Sequence, residues 1–190
     1  MGFRFVLLLV FLLPMCAAAQ TPQVRINFRA QSDSFAAAVQ AYQELWAVEG
    51  ERIVGAMERV SGLRFVTPEW ADTTIDAVVM ERASSSGYRE RPMTLRASYP
   101  PDTKRATLVH ELGHRLQSGL FRADEEEHEF LFLWVYDVWV DLWGREFADE
   151  QVVVEKRRGE RYVTAWDAAL AGSREQRAAR WAAIRDERMR

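Results

Sequence analysis

The sequence predicts one mixed α+β domain that is mostly helical and carries a small, mostly antiparallel sheet. A helical repeat of apolar residues comes first, short segments with alternating apolar residues follow, and long helical patterns fill the second half. The chain has 190 residues and shows no internal repeat or low-complexity linker. Length and pattern together therefore favour a single compact domain.

Residues 1–19 have the pattern of a secretory signal peptide. Arg4 precedes an apolar run from Phe5 to Leu13, and small residues follow at Ala17 to Ala19. The run holds about nine residues, whereas a helix needs roughly 20 to span a bilayer. We therefore expect cleavage after Ala19, export to the periplasm or the medium, and a mature domain of residues 20–190 without a transmembrane helix.

The composition of the chain bears on how the mature domain is stabilised and on whether it binds nucleic acid. The only cysteine, Cys16, lies in the predicted leader, so the mature domain has no disulfide and depends on packing, with help from a metal. The formal net charge is −3, whereas nucleic-acid-binding domains favour basic surfaces. We therefore expect no nucleic-acid partner.

The first half of the mature chain predicts a helix followed by strands. Apolar residues recur at helical spacing from Ser34 to Val60, and Ser61-Gly62 ends the helix. Residues 63–67, 74–82 and 92–99 have extended patterns, and residues 84–87 form a turn cluster between the last two. These last two segments predict an antiparallel hairpin, whose second strand could hold an extended peptide if its edge is exposed.

Helices make up the rest of the prediction. Pro100-Pro101 ends the last strand, and Asp102 or Thr103 can cap a helix that runs to near Gly119. A second helix is predicted from residue 125 to Gly144, and further helices follow to the C-terminus. The tryptophans lie at helical spacing, so core packing accounts for them. The basic run 156–158 is flanked by acids and predicts a solvated face, and we assign no chemistry to the C-terminal third.

The predicted helix after Pro101 carries the sequence His-Glu-Leu-Gly-His at residues 110–114. Residues four apart lie on one face of a helix, so His110 and His114 can bind one metal ion. Glu111 lies about 100° around the helix from His110, where it can reach a water at the metal. This is the H-E-x-x-H zinc pattern, and it predicts a Zn²⁺ site with Glu111 as general base.

The next helix predicts the third ligand. From Phe130 to Trp143 it is apolar on nearly every face, yet it includes Asp137 and Asp141. Burying an unpaired carboxylate costs several kcal/mol, so these aspartates need a cation. We expect Asp137 to be the third zinc ligand and Asp141 to accept the N–H of His110 from behind, although arginines are the other possible partners.

Other residues remain possible as the third ligand. His128 is the main rival, because imidazole suits zinc and it follows His114 closely in the sequence. His128 and Asp137 are nine residues apart, about 180° around a helix, so they cannot bind the same ion. Glu126 shares the aspartate face and is a weaker candidate, and Glu129 is weaker still.

These residues resemble the gluzincin branch of zinc metallopeptidases, particularly its very small members. The resemblance covers residues 34–143 by element order, and its specific residues are His110, Glu111, His114, Asp137 and Asp141. It implies a zincin-like core with an N-terminal helix, a mixed sheet whose edge strand aligns the substrate, the zinc helix and a helix with a Glu-x-x-x-Asp ligand pattern. This chain departs from that pattern by placing aspartate at the expected glutamate.

The metzincin branch would need glycine at position 117 and histidine at position 120, where this chain has Gln117 and Leu120. That branch is excluded.

The resulting hypothesis is an exported zinc metallopeptidase that hydrolyses a peptide or protein substrate. Three protein ligands would leave an open position for water, and Glu111 would take its proton and pass it to the leaving amine. Candidates for stabilising the oxyanion are Tyr88, Tyr99, Tyr136 and Tyr162. The alternative is a non-catalytic exported binding or envelope-assembly domain with a structural zinc site.

Overall fold

The computed structural model describes residues 24–65, 74–87, 91–121 and 127–190. The predicted signal peptide lies outside these residues. The described chain is a mixed α+β structure with a three-stranded sheet and six α-helices. Strand β1 spans Arg25–Ala30 and is followed by a 3₁₀ turn at Asp33–Phe35, helix α1 at Ala36–Ser61, β2 at Thr74–Met80 and β3 at Met93–Arg96. The remaining helices are α2 (Pro101–Gln117), α3 (His128–Trp143), α4 (Arg145–Lys156), α5 (Glu160–Leu170) and α6 (Arg174–Arg188).

The sheet is parallel, so the prediction of a mostly antiparallel sheet is wrong. The strand order is β1-β2-β3, and both neighbouring pairs are parallel. The sequence analysis did not predict β1. Because α1 lies between β1 and β2 in the chain, it forms a crossover connection, and strands joined by a crossover run parallel to each other.

The segment between β2 and β3 is not a hairpin turn. It passes along the outer edge of β3, where the N–H and the carbonyl of Thr94 both exchange hydrogen bonds with Ser85 in an isolated antiparallel bridge. The hydroxyl of Ser84 accepts a further bond from the N–H of Arg96. The edge of β3 is therefore already occupied at these positions, and it is not the open edge that the sequence suggested.

The long first helix is confirmed. Its apolar face places Tyr42, Ile53 and Met57 in the core, where they are fully buried. Gly62 ends the helix with φ of 70°, a left-handed conformation that glycine adopts without the clash a Cβ would cause. The predicted extended segment at 63–67 is not a strand over residues 63–65, and its remainder lies outside the described residues.

Helix α3 is the central element of the helical part, as its apolar sequence predicts. Every residue from Leu131 to Trp139 is buried. The helix packs against α1, α2, α4, α5 and α6. Its contact with α2 is close, because a Cβ added at Gly113 would lie 2.6 Å from Cδ1 of Leu131. Within the described residues, no helix is long and apolar enough to cross a membrane.

Candidate metal centre

Helices α2 and α3 bring together the side chains of His110, His114 and His128. One ring nitrogen from each lies within 4.8 Å of the others. Nε2 of His110 and Nε2 of His114 are 3.1 Å apart, and the ring centroid of His128 is 4.9 Å from that of His114. The three histidines are therefore close enough to hold one metal ion.

Asp137 does not lie in this cluster, which corrects the predicted ligand set. Its two carboxylate oxygens accept hydrogen bonds from Nη2 and Nε of Arg177, at 2.6 and 3.0 Å. Asp137 is 3% exposed, so this pair supplies the cation that a buried carboxylate requires. The partner of Asp137 is therefore an arginine of α6 and not a metal ion. The third residue of the cluster is His128, which the sequence analysis named as the main alternative ligand.

Asp141 is also placed away from the histidines. Its carboxylate accepts a hydrogen bond from Nη1 of Arg174 at 2.8 Å and lies 3.7 Å from Nη2 of Arg59. The predicted role of Asp141 behind His110 is therefore wrong. Of the weaker ligand candidates, Glu129 is exposed, and Glu126 lies outside the described residues.

Two glutamates that were not predicted lie behind the histidine rings. Oε1 of Glu155, in α4, is 2.8 Å from Nδ1 of His110, and Oε2 of Glu127 is 2.9 Å from Nδ1 of His114. A carboxylate that accepts the Nδ1–H of a histidine leaves Nε2 unprotonated and free to bind a metal. The contact of Glu127 with His114 is a hydrogen bond and favours the tautomer of His114 that a metal site needs, and Glu155 lies close enough to His110 to favour the same tautomer there.

The environment of His110 favours the neutral ring. Burial lowers the pKa of His110 to about 4, although Glu155 opposes this shift. Burial disfavours ionisation of Glu155 too, but His110, Arg158 and the indole N–H of Trp166 together lower the pKa of this carboxyl. A neutral imidazole beside an ionised carboxylate is the protonation state required for a metal ligand and its support.

Glu111 lies on α2 beside His110 and is 3% exposed. Burial raises the pKa of Glu111 to about 7, while His114, Arg158 and Arg115 lower it in part. A carboxyl with a pKa near neutrality can both accept and return a proton at neutral pH. Burial thus brings the pKa of the motif glutamate close to neutrality.

Arg158 and Tyr162 form the side of the site nearest α5. The ring of Tyr162 lies 4.5 Å from that of His128 and 6.3 Å from that of His110, by centroids. The guanidinium carbon of Arg158 is 5.6 Å from the centre of the Tyr162 ring. The prediction of a solvated face at residues 156–158 is wrong for Arg158, which is half-buried against the ring of Tyr162.

The structure separates the four tyrosine candidates. Tyr162 lies against the cluster, and Tyr99 contacts Arg158 with its ring. Tyr136 donates its hydroxyl to Asp149 and lies beside Arg177, which places it with the Asp137 pair. Tyr88 lies outside the described residues. Tyr162 is thus the tyrosine that the fold brings to the histidines.

Three comparisons of this chain, with protein-family models, with curated proteins and with solved structures, find no match.

The donor set fits a zinc ion. Three imidazoles match the His₃ sets that hold zinc with one position open, and carboxylates lie at Nδ1 of His110 and of His114. Sequence reasoning identified His110, Glu111 and His114, but it gave no role to Glu127, Glu155 or Arg158. One signal for Glu155 was present, because Ala148, Val152 and Glu155 share the buried face of α4 at helical spacing.

Proposed function

We propose that this chain is an exported zinc-dependent metallopeptidase that hydrolyses peptide bonds with Glu111 as general base. The observation that carries the proposal is the convergence of His110, His114 and His128 beside a buried glutamate on the same helix as two of them. A purely structural site has no need of a general base at this position. Export is proposed from the signal-peptide pattern of residues 1–19.

Each protein group has a defined task in the proposed reaction. His110, His114 and His128 would hold the ion, while Glu155 and Glu127 keep the first two rings oriented. Zinc in such a site supplies Lewis acidity and lowers the pKa of water. Glu111 would accept the proton of the attacking water and return it to the nitrogen of the leaving amine.

Tyr162 is the best-placed group for the developing oxyanion. Its ring lies against His128, and burial raises the pKa of Tyr162 to about 12, so its hydroxyl keeps its proton and can donate it in a hydrogen bond. Arg158 stands behind this ring and adds positive charge. The resemblance to small gluzincins agrees with the H-E-x-x-H helix but not with the third ligand, which is a histidine in this proposal.

A structural metal site in a non-catalytic binding domain is the second candidate. The burial of His110 and Glu111, at 2% and 3% exposure, favours it, because structural sites are closed to solvent. The two candidates differ in what Glu111 does. In a structural site its replacement by glutamine would change neither an activity nor the metal content.

The test combines metal analysis with hydrolysis of a broad peptide library by the mature protein. We expect one equivalent of zinc and hydrolysis in the native protein, and zinc without hydrolysis in Glu111→Gln. The control is Glu150→Gln, the same substitution at an exposed residue, which should retain both the zinc and the hydrolysis. Zinc binding with no hydrolysis by the native protein would establish the structural-site reading instead.

The same preparation tests the ligand set. His128→Ala should lower the zinc content well below one equivalent, whereas Asp137→Asn should leave it unchanged, because the carboxylate of Asp137 faces Arg177. Zinc lost from Asp137→Asn and kept by His128→Ala would refute the three-histidine site.

A further inference from the structure

Arg158 occupies a tightly formed turn between α4 and α5. Its N–H donates to the carbonyl of Glu155 at 2.9 Å, and the next residue, Gly159, has φ of 140°, which a residue with a Cβ rarely adopts. The N–H of Tyr162 then bonds the carbonyl of Gly159 at 3.1 Å. This turn fixes Arg158 and Tyr162 on the side of the fold that faces the histidines.

Two aromatic rings restrict the guanidinium of Arg158. Its central carbon lies 5.8 Å from the centre of the Tyr99 ring and 5.6 Å from that of Tyr162. Arginine stacks on aromatic rings through its planar faces and keeps the N–H groups of its edge for hydrogen bonds. A guanidinium restrained in this way loses little entropy when it binds a planar anion.

Arg158 lies within electrostatic range of the candidate metal centre. Although burial lowers its pKa, the charges of Glu155 and Glu111 and the two tyrosines together raise it, so the side chain is a permanent cation. The Tyr162 ring contacts both the guanidinium of Arg158 and the ring of His128. A group bound to Arg158 would therefore lie close to the candidate metal centre.

The nearby carboxylates do not use the hydrogen-bonding edge of Arg158. One oxygen of Glu155 lies 2.8 Å from Nδ1 of His110, and the other accepts a hydrogen bond from Nε1 of Trp166 at 3.0 Å. Across the described parts of the chain, no carboxylate oxygen lies within 4.0 Å of the Arg158 guanidinium. By contrast, Arg105 and Arg177 each hold a carboxylate at 2.8 Å or less. Arg158 donates to the Tyr162 hydroxyl and has further N–H donors that no described carboxylate uses, in a half-buried place where a charge pair is strong.

We infer that Arg158 binds a carboxylate of the substrate beside the bond that is hydrolysed. This inference rests on the proposed function and adds a substrate class to it: peptides with a negative group close to the scissile bond. The carboxylate could be the C-terminus of a peptide or the side chain of an aspartate or glutamate. Both have the planar shape that the guanidinium edge matches through two parallel hydrogen bonds.

The experiment compares matched peptides that differ by one carboxylate. One pair has a free or an amidated C-terminus, and the other has glutamate or glutamine next to the scissile bond. In one of the two pairs, we expect the native enzyme to cleave the peptide that has the carboxylate with a kcat/KM about 10- to 100-fold higher than its neutral partner, mainly through a lower KM, because two charged hydrogen bonds are gained. A preference in the first pair would identify the bound group as the peptide C-terminus, and a preference in the second pair would identify it as a side-chain carboxylate.

Two variants assign the preference to Arg158. Arg158→Gln should abolish the preference, whereas Arg157→Gln, the exposed neighbour, should retain it. Arg158→Lys keeps the positive charge but cannot form two parallel hydrogen bonds, so it should show an intermediate preference. This variant also provides the test if Arg158→Gln does not fold. A preference that survives in Arg158→Gln, or none in the native enzyme, overturns the inference.

A binding measurement separates this inference from the proposed function. Calorimetric titration of zinc-loaded Glu111→Gln with the same peptides measures the preference without turnover. We expect tighter binding of the carboxylate form, and the difference should vanish when Arg158→Gln is added. If the native protein hydrolyses no peptide, the proposed function fails, yet this titration still decides whether Arg158 binds a carboxylate.

Discussion

The carboxylate of Asp137 and the guanidinium of Arg177 form a two-pronged ion pair on the face of α3 opposite His128. Both side chains are less than one-tenth exposed. Arg177 also donates to the carbonyl of Gly172 at 2.9 Å and lies over the ring of Tyr136. The pair thus ties α6 to the central helix, and it is separate from the histidine cluster.

Replacing Arg177 by methionine should destabilise the fold strongly, because it leaves the carboxylate of Asp137 buried without its partner. Breaking a buried ion pair on one side costs about 3–5 kcal/mol. The measurement is the free energy of unfolding from urea titration. Adding Asp137→Leu to Arg177→Met should recover most of the loss, since apolar residues can replace a complete buried pair. Equal losses in the single and double variants would contradict this account.

Glu155→Gln should weaken zinc binding about 10- to 100-fold, because it removes the negative charge that lies 2.8 Å from Nδ1 of His110. The measurement is competition for zinc with a chelator of known affinity. Glu150→Gln, on the exposed face of the same helix, is the control. An unchanged affinity in Glu155→Gln would show that this carboxylate does not support the site.

Gly113→Ala should destabilise the protein by about 1–3 kcal/mol, because the new methyl group would overlap Leu131 where α2 meets α3. Gly55→Ala, in the interior of α1, is the matched control. A Cβ there meets no atom within 4 Å, so alanine should stabilise by up to about 1 kcal/mol through its higher helix propensity. Thermal unfolding of both variants measures the contrast, and a neutral Gly113→Ala would mean that the two helices can separate without cost.

Glu49 should make the stability depend on pH in the acid range. Burial raises its pKa, but hydrogen bonds from Arg105, Trp143 and Arg52 outweigh this and lower the pKa below 4.5. A carboxyl with a lower pKa in the folded state stabilises the fold above its unfolded pKa, and this contribution is lost as the pH falls through the folded value.

The check is urea unfolding of the native protein and of Glu49→Gln at several values of pH. We expect the variant to be less stable at neutral pH and the difference to shrink below pH 4.5. A difference that is constant with pH would show that the charge of Glu49 is not what joins α1, α2 and α3.

Local patterns predicted the helices well and the sheet poorly. The helical spacing of apolar residues is a property of neighbouring residues, so α1, α2 and α3 could be placed from it. Strand β1 has only one buried residue, Phe28, and its partner begins at Thr74, far along the chain. A short stretch of sequence therefore contains no pattern that predicts either the strand or its parallel pairing with β2.

The site shows the same division between local and distant information. The H-E-x-x-H motif placed His110, Glu111 and His114 correctly on one helix. The apolar sequence of α3 showed that Asp137 needs a cation, but it could not tell a metal from Arg177, which lies 40 residues further along. Glu155 was missed because a lone acid beside basic residues has the pattern of a surface.

Helix α3 carries His128 and the Asp137 pair on opposite faces, so it lies between the histidine cluster and this ion pair. Residues that share no partners change stability independently, and their effects add. Substitutions at the Asp137 pair can therefore change the stability of the fold and leave the candidate metal centre unchanged. The two sites can then vary independently of each other.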